Sequence, residues 1–244
     1  MSKRYPGHTI HLVIPVHNEG QRIRSLVARI PFDQIDAAVI VDDFSSDGAL
    51  DHVDHPRITI LRNKAHQNIG ATIRNGLNYA LAHSADIIAI MAGNGKDDPV
   101  ELSRLIEPIV CENYEFVQGS RYLQGGMYNR MPFHRRLGTR LYPILIRLAT
   151  RFPATDTTNG FRAFRAYILR DERIDIKQEW LGVCLEYYIY IRGLQLGYRL
   201  KEVPVSKVYP KQVPYSLYTK VRPIVDWIHV LKPYFYLLIF KTRS

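Results

Sequence analysis

Ile10-His11-Leu12-Val13-Ile14-Pro15-Val16-His17-Asn18-Glu19 and, further on, Ala37-Ala38-Val39-Ile40-Val41-Asp42-Asp43-Phe44-Ser45-Ser46-Asp47-Gly48 follow one plan. Each is a short run rich in β-branched residues that stops abruptly in polar, turn-forming ones, as a buried parallel strand does at its carboxyl end. Between them Ile23, Leu26, Val27 and Ile30 recur at helical spacing. The alternation continues with an apolar run from Ile58 to Leu61, a helical pattern from Ala71 to Ala82, and a run from Ile87 to Met91 broken by Gly93-Asn94-Gly95. Strands of this length between amphipathic helices predict an α/β, Rossmann-like domain with a mostly parallel central sheet and helices on both faces. Ligands of such sheets bind beyond the carboxyl ends of the strands. Asn18-Glu19, Asp42-Asp43 and the stretch from Gly93 to Asp98 all fall there.

Outward from this half, Leu102 to Val110 reads as a helix, Phe116-Val117 as a short strand and Arg135 to Ala149 as a longer helix. Trp180 to Leu196 reads as a buried helix and Tyr198 to Val205 as a strand. From Lys207 the chain turns basic, aromatic and proline-interrupted, which predicts one domain over residues 1–210 and a helical tail over 211–244. The 244 residues carry a net charge of +10, which favours anionic partners such as nucleotide phosphates or an acidic membrane surface. No nucleic-acid-binding module is recognisable, and no Gly-x-Gly-x-x-Gly follows the first strand, so neither nucleic acid nor a redox cofactor is expected. Cys111 and Cys184 lie in apolar helical patterns without a partner at metal or redox spacing, and are expected to be buried free thiols. Ile224 to Phe240 is interrupted by Asp226, His229, Lys232 and Pro233, short of the roughly 20 apolar residues of a membrane span. With no apolar run after the charged start, a cytoplasmic protein is expected.

The segments Val13 to Glu19 and Val39 to Gly48 closely resemble the opening of the family 2 glycosyltransferases, which have a GT-A fold. The resemblance implies a nucleotide-sugar donor at these strand ends, with Pro15, Asn18, Glu19, Asp42 and Asp43 as donor-binding residues. Glu19 and Asp42 can accept hydrogen bonds from base N–H groups and ribose hydroxyls. Asn68-Ile69-Gly70-Ala71 resembles the family's next landmark, where a helix opens beside the donor diphosphate and Gly70 would lie near it. Lys220 stands near the family's Ser-Lys on a loop over the donor; it either touches the diphosphate or is a solvated lysine.

The fourth strand end departs from the family pattern. Members that use a metal place Asp-x-Asp there to hold Mg²⁺ or Mn²⁺, whereas this chain has Ala92 and Asn94 at the two aspartate positions. Alanine binds no metal, and an asparagine amide is a weak ligand for a hard cation. Three alternatives stay open. Lys96 could supply the ion's charge, Asn94, Asp97 and Asp98 could hold an ion in a shifted register, or the site could be inactive.

Gln118-Gly119-Ser120-Arg121-Tyr122, Gly125-Gly126 and Asp156 to Arg165 narrow the resemblance to the polyprenyl-phosphate (dolichyl-phosphate) sugar transferases, with Asn159 where that branch usually has serine. Arg135, Arg136 and Thr139 match the region that binds the lipid phosphate there. The resemblance therefore implies inverting transfer to a polyprenyl phosphate, with Arg121, Arg135, Arg136, Thr139 and Arg162 as acceptor contacts. Asp98, Arg121 and Asp156 are the catalytic candidates, Asp156 as a base or an orienting carboxylate. An ionised phosphate can attack unaided, whereas a sugar hydroxyl needs a general base. A glycan hydroxyl acceptor in polysaccharide synthesis, and a donor-binding protein without turnover, remain alternatives, as does a merely solvated Arg135–Arg136 face. Trp227 and Tyr234 to Phe240, flanked by Lys220, Arg222, Lys232, Lys241 and Arg243, suit a helix lying in a membrane interface or packing on the protein's own core. The first case would make the protein peripheral on the inner face of the cytoplasmic membrane.

Overall fold

The described residues form nine strands: β1 (Ile10–Val16), β2 (Ala37–Asp42), β3 (Ile58–Arg62), β4 (Ile87–Ile90), β5 (Phe116–Ser120), β6 (Met127–Asn129), β7 (Arg162–Arg165), β8 (Leu200–Pro204) and β9 (Ser206–Val208). The structure is a computed structural model and describes residues 3–209 and 225–240. Seven strands form one sheet in the order β3-β2-β1-β4-β7-β5-β8, and β6 and β9 pair separately. Every seam of the large sheet is parallel except the two made by β7. The chain runs from β1 out to β3 and then returns to the other side of β1 as β4. The order therefore reverses between β1 and β4, where α/β sheets open a crevice for ligands.

The helices are α1 (Gln21–Val27), α2 (Ile69–Ala82), α3 (Leu102–Cys111), α4 (Phe133–Thr150), α5 (Leu185–Gln195) and α6 (Val225–Tyr234). Alternation along β1 sorts the core. Leu12, Ile14 and Val16 pack with Ile23, Leu105 and Ile106 of α1 and α3, while Val13 faces Ile73, Leu77 and Ile189 of α2 and α5. Fully buried strands of this kind need apolar residues on both faces, which is why β1, β2 and β4 read as unbroken runs.

Several features differ from the sequence expectation, which contained neither β6 nor β9. β7, four residues with an arginine at each end, enters antiparallel between β4 and β5. The helix expected from Trp180 to Leu196 is a 3₁₀ turn (Glu179–Cys184) followed by α5, broken at Gly182 with φ 23° and ψ −117°. Cys111 is exposed, because it ends α3 off the stripe of Leu102, Leu105, Ile106 and Ile109; Cys184 is buried.

The break at Gly182 serves the packing of α2. A Cβ on Gly70 would lie 1.5 Å from the Gly182 carbonyl oxygen, so the two backbones meet where no side chain fits. Gly70→Ala is expected to cost about 2–3 kcal/mol, as overpacking does, and to lower Tm by about 5–10 °C in a thermal melt. A variant melting with the wild type would contradict this contact.

The expected domain boundary at residue 210 and Lys220 lie outside the described residues. The described part of the tail packs on the domain: Leu237 is buried in the α2–α5 core, Gln195 Nε2 donates to its carbonyl at 2.8 Å, and Tyr236 lies 4.7 Å from Trp180, ring to ring. Among the described residues no helix is long and apolar enough to cross a membrane.

Candidate active site

The carboxyl ends of β1 and β2 are laced together. Asn18 adopts a left-handed backbone (φ 53°), accepts the Ser46 N–H on Oδ1 at 2.8 Å and donates its own N–H to Ser45 Oγ at 3.0 Å. Gly20 N–H reaches Asp47 Oδ2 at 2.7 Å. Asp42 accepts the Ser45 N–H (2.9 Å) and pairs with Arg62 (2.9 Å). Glu19 pairs with Arg22 at 2.8 Å. Glu19 and Asp42, two of the three carboxylates expected to meet the donor, are thus on one sheet edge, each already oriented by a protein cation. Asp43 is buried and accepts from Asn63 Nδ2 and the Gln67 N–H, both at 2.9 Å, with His66 at 3.0 Å. His17 Nδ1 donates to the Asp43 carbonyl at 2.6 Å, and the two imidazoles lie 4.3 Å apart.

The β4 end joins this edge through Pro15, whose carbonyl accepts the Gly93 N–H at 3.1 Å. A Cβ on Gly93 would come within 2.7 Å of Val16 Cγ2, so only glycine lets the two strand ends approach this closely. From there the turn runs Asn94-Gly95-Lys96-Asp97-Asp98. Asn94 Oδ1 accepts the Lys96 N–H at 3.2 Å. Strand β9 straps the turn down: Val208 N–H donates to the Lys96 carbonyl at 2.9 Å, and Lys207 Nζ donates to both Asp97 oxygens (2.7 and 2.9 Å) and to Asn159 Oδ1 (2.9 Å). Lys207 was not singled out from the sequence, since its partner lies 110 positions away. Asp98 caps the next turn through the Val100 N–H (3.0 Å) and pairs with Arg29.

Lys96 is 4% exposed and carries its ammonium 4.9 Å from the Tyr209 ring centre. Burial, then the nearby charges of Lys207 and Arg135, pull it well below the ordinary lysine range; Asp97 and Glu19 oppose them. Lys96, Lys207 and Arg135 therefore repel one another in a low-dielectric setting, and an anion placed among them lowers that repulsion.

Arg121 and Asp156 form the floor beside this cluster. Both are buried, and the guanidinium grips the carboxylate through two bonds, Nε to Oδ2 at 2.5 Å and Nη2 to Oδ1 at 2.7 Å; Asp156 Oδ2 also takes the Arg121 N–H at 3.0 Å. Burial works against the Arg121 charge, and Asp156 more than offsets it, so its pKa is raised. Two of the three catalytic candidates, Arg121 and Asp156, thus pair with each other, a contact the sequence did not suggest, and the Arg121 side chain, expected to touch the acceptor, is committed to Asp156 and to Thr158 Oγ1 (2.7 Å).

Arg135 approaches Lys96 and Lys207 from the first turn of α4. Arg136 lies over the Phe133 ring at 5.4 Å, and Thr139 Oγ1 meets the Tyr122 hydroxyl at 2.5 Å. Two residues stand elsewhere than the resemblance implied. Arg162 is buried in β7, donating to the carbonyls of Glu186 (2.8 Å) and Asn159 (2.5 Å), because a cation inside a sheet needs local acceptors. Gly70 is taken up by packing on Gly182, and the α2 N-terminus is capped by Asn68 Oδ1 at 2.9 Å from Ala71 N. Glu186, beneath the site in the first turn of α5, was also unforeseen. Burial raises its pKa against the opposing charges of Arg162 and Lys207.

The β4 turn does not fit Mg²⁺ or Mn²⁺. Ala92 offers no side-chain ligand, Asn94 Oδ1 holds a backbone N–H, both Asp97 oxygens hold Lys207, and Asp98 Oδ1 is engaged by Arg29 and Val100. Hard divalent ions need several accessible oxygens. Among the described residues one trio could hold an ion, His17, Asp43 and His66, whose ligand atoms lie within 4.8 Å of one another. Its imidazoles suit borderline transition metals better than Mg²⁺.

The sequence and the fold are each similar to those of known proteins. The UDP-N-acetylglucosamine–dolichyl-phosphate N-acetylglucosaminyltransferase of Methanococcus voltae is 24% identical over 217 residues, covering 82% of this chain and 86% of that protein. The undecaprenyl-phosphate mannosyltransferase of Micrococcus luteus is 29% identical over 205 residues, 80% of this chain and 82% of that one. In fold the chain matches glucosyl-3-phosphoglycerate synthase from Mycobacterium tuberculosis, crystallised with Mn²⁺, UDP and glucosyl-3-phosphoglycerate. The TM-score is 0.70 at 16% identity, over 95% of this chain and 80% of that one. The family model for glycosyl transferase family 2 matches residues 11–173, from β1 through β7 and the Asp156 motif. Sheet order, strand-end loops and family match agree, and the chain belongs to glycosyl transferase family 2 and is a glycosyltransferase.

Proposed function

We propose that this enzyme transfers a sugar from a nucleotide-sugar donor to a polyprenyl phosphate, and that Lys96 balances the donor diphosphate where other family members use a divalent ion. The observation that carries this is a buried lysine in the turn after β4, near Lys207 and Arg135 and two residues past Asn94, in the same turn where metal-using members carry their carboxylates. The relatives named for dolichyl phosphate and undecaprenyl phosphate support the acceptor class.

In this account the acceptor's phosphate oxygen attacks the anomeric carbon, the bond from that carbon to the diphosphate oxygen breaks, and the nucleoside diphosphate leaves with its charge. Attack opposite the leaving group inverts the anomeric centre. The phosphate is already ionised, so no general base is required; positioning and charge stabilisation carry the rate. A protonated Lys96 meets the charge developing on the leaving diphosphate. Arg135, Arg136 and Thr139 receive the acceptor phosphate, and the Arg121–Asp156 pair holds the floor on which it rests. Asn18, Asp42 and Asp43 shape the nucleoside end. Because the acceptor is a membrane lipid, the enzyme works at a membrane surface.

The test is a panel of labelled nucleotide sugars with undecaprenyl or dolichyl phosphate, scored by label entering the organic extract. Label in the lipid phase is the expected result. Label transferred only to a glycan, or no transfer with any donor, would overturn the assignment.

A further inference from the structure

Helix α4 carries five large apolar residues that stand exposed among the described residues. Phe133, Leu137, Leu141, Ile144 and Leu148 are 45–76% exposed. At 100° per residue they fall within an arc of about 80°, a single stripe along a helix about 27 Å long. Arg136, Arg140 and Arg147 fall along one edge of that stripe, and α4 contains no acidic residue. The opposite face holds Tyr142 and Ile146 in the core.

We propose that this face of α4 lies flat on an anionic lipid bilayer, the stripe entering the acyl boundary and the arginine edge meeting the headgroups. The partner follows from the charge: an apolar stripe bordered by arginines and free of acid is complementary to a negatively charged lipid surface. A second copy of this face would bring the same arginines together, on a chain of net charge +10. The placement also serves the chemistry, and here it rests on the function proposed above. Arg135 and Thr139 project from the same helix on the side away from the stripe, so docking holds the cation cluster around Lys96 about one helix diameter, roughly 10 Å, from the bilayer, within reach of a lipid phosphate that rises from it. This assigns membrane contact to α4, inside the catalytic domain, in addition to any contribution from the tail.

The test compares wild type with L141E/L148E, at two exposed positions outside the site, by co-sedimentation with vesicles of phosphatidylcholine containing about one-third phosphatidylglycerol. Wild type should pellet with these vesicles and far less with phosphatidylcholine alone, and the variant's bound fraction should fall about tenfold or more with its thermal melt unchanged. Transfer to a short-chain, water-soluble polyprenyl phosphate should be kept by the variant, while transfer to the long-chain lipid in vesicles falls. A variant that pellets like wild type overturns the inference. So does a wild type that ignores vesicles but forms a dimer, seen by sedimentation velocity, which L141E/L148E dissolves. If vesicle binding and its loss are both observed while wild type glycosylates neither acceptor, the surface stands and the proposed acceptor falls.

Discussion

Lys96→Met should lower the rate of sugar transfer about a thousandfold, the scale on which a single cation or donor aimed at developing charge acts. Methionine keeps a four-atom apolar stem like that of lysine and lacks the ammonium, so the buried site loses a cation that burial already disfavours. The fold should therefore survive, and a thermal melt should show no loss of Tm. The pH dependence carries a second signature. With the Lys96 pKa held well below its ordinary value, bringing a diphosphate to it raises that pKa, so binding takes up a proton. Below the free enzyme's Lys96 pKa the affinity for a nucleoside diphosphate is full. Above it the affinity falls by about tenfold per pH unit until the bound-state pKa is passed. In Lys96→Met this slope should vanish. Wild-type turnover by the variant would remove Lys96 from the mechanism.

Asp156→Asn should be the most destabilising single change in the site. It leaves the Arg121 guanidinium, 2% exposed, without its carboxylate, and breaking one partner of a buried pair costs about 3–5 kcal/mol. For a chain of this size that corresponds to a fall in Tm of about 10 °C. Replacing both partners, Arg121→Met with Asp156→Leu, should recover much of the stability, since an apolar pair leaves no uncompensated charge. Transfer should stay lost in both variants, because the floor that orients Thr158 and the acceptor side is gone. A double variant that is folded and fully active would reduce the pair to scaffolding.

What could be read from the chain alone was what local pattern encodes. The β-branched runs ending at Glu19, Asp43 and Gly93 placed Pro15, Asn18, Asp42, Asp43, Asn94 and Lys96 on one edge, and the strand pairing puts them there. Strand β7 was hidden because Arg162-Ala163-Phe164-Arg165 has no apolar run to announce it; Arg162 is tolerated inside because two backbone carbonyls accept from it and the Glu186 carboxylate lies 3.4 Å away. The Lys207–Asp97 clamp and the meeting of Gly70 with Gly182 join residues more than a hundred positions apart, and no spacing rule reaches that far. The stripe on α4 is visible in the helical spacing of Phe133, Leu137, Leu141, Ile144 and Leu148, but spacing cannot say whether such a face is covered. Only the packed structure leaves it bare.

In the proposed mechanism side chains, not a divalent ion, balance the donor's diphosphate. Calorimetric titration of UDP and GDP into the wild-type protein, once in excess EDTA and once with Mg²⁺ or Mn²⁺, addresses it directly. Equal affinity in both conditions for whichever nucleotide binds is the predicted result. Binding that disappears in EDTA and returns with the metal would contradict it.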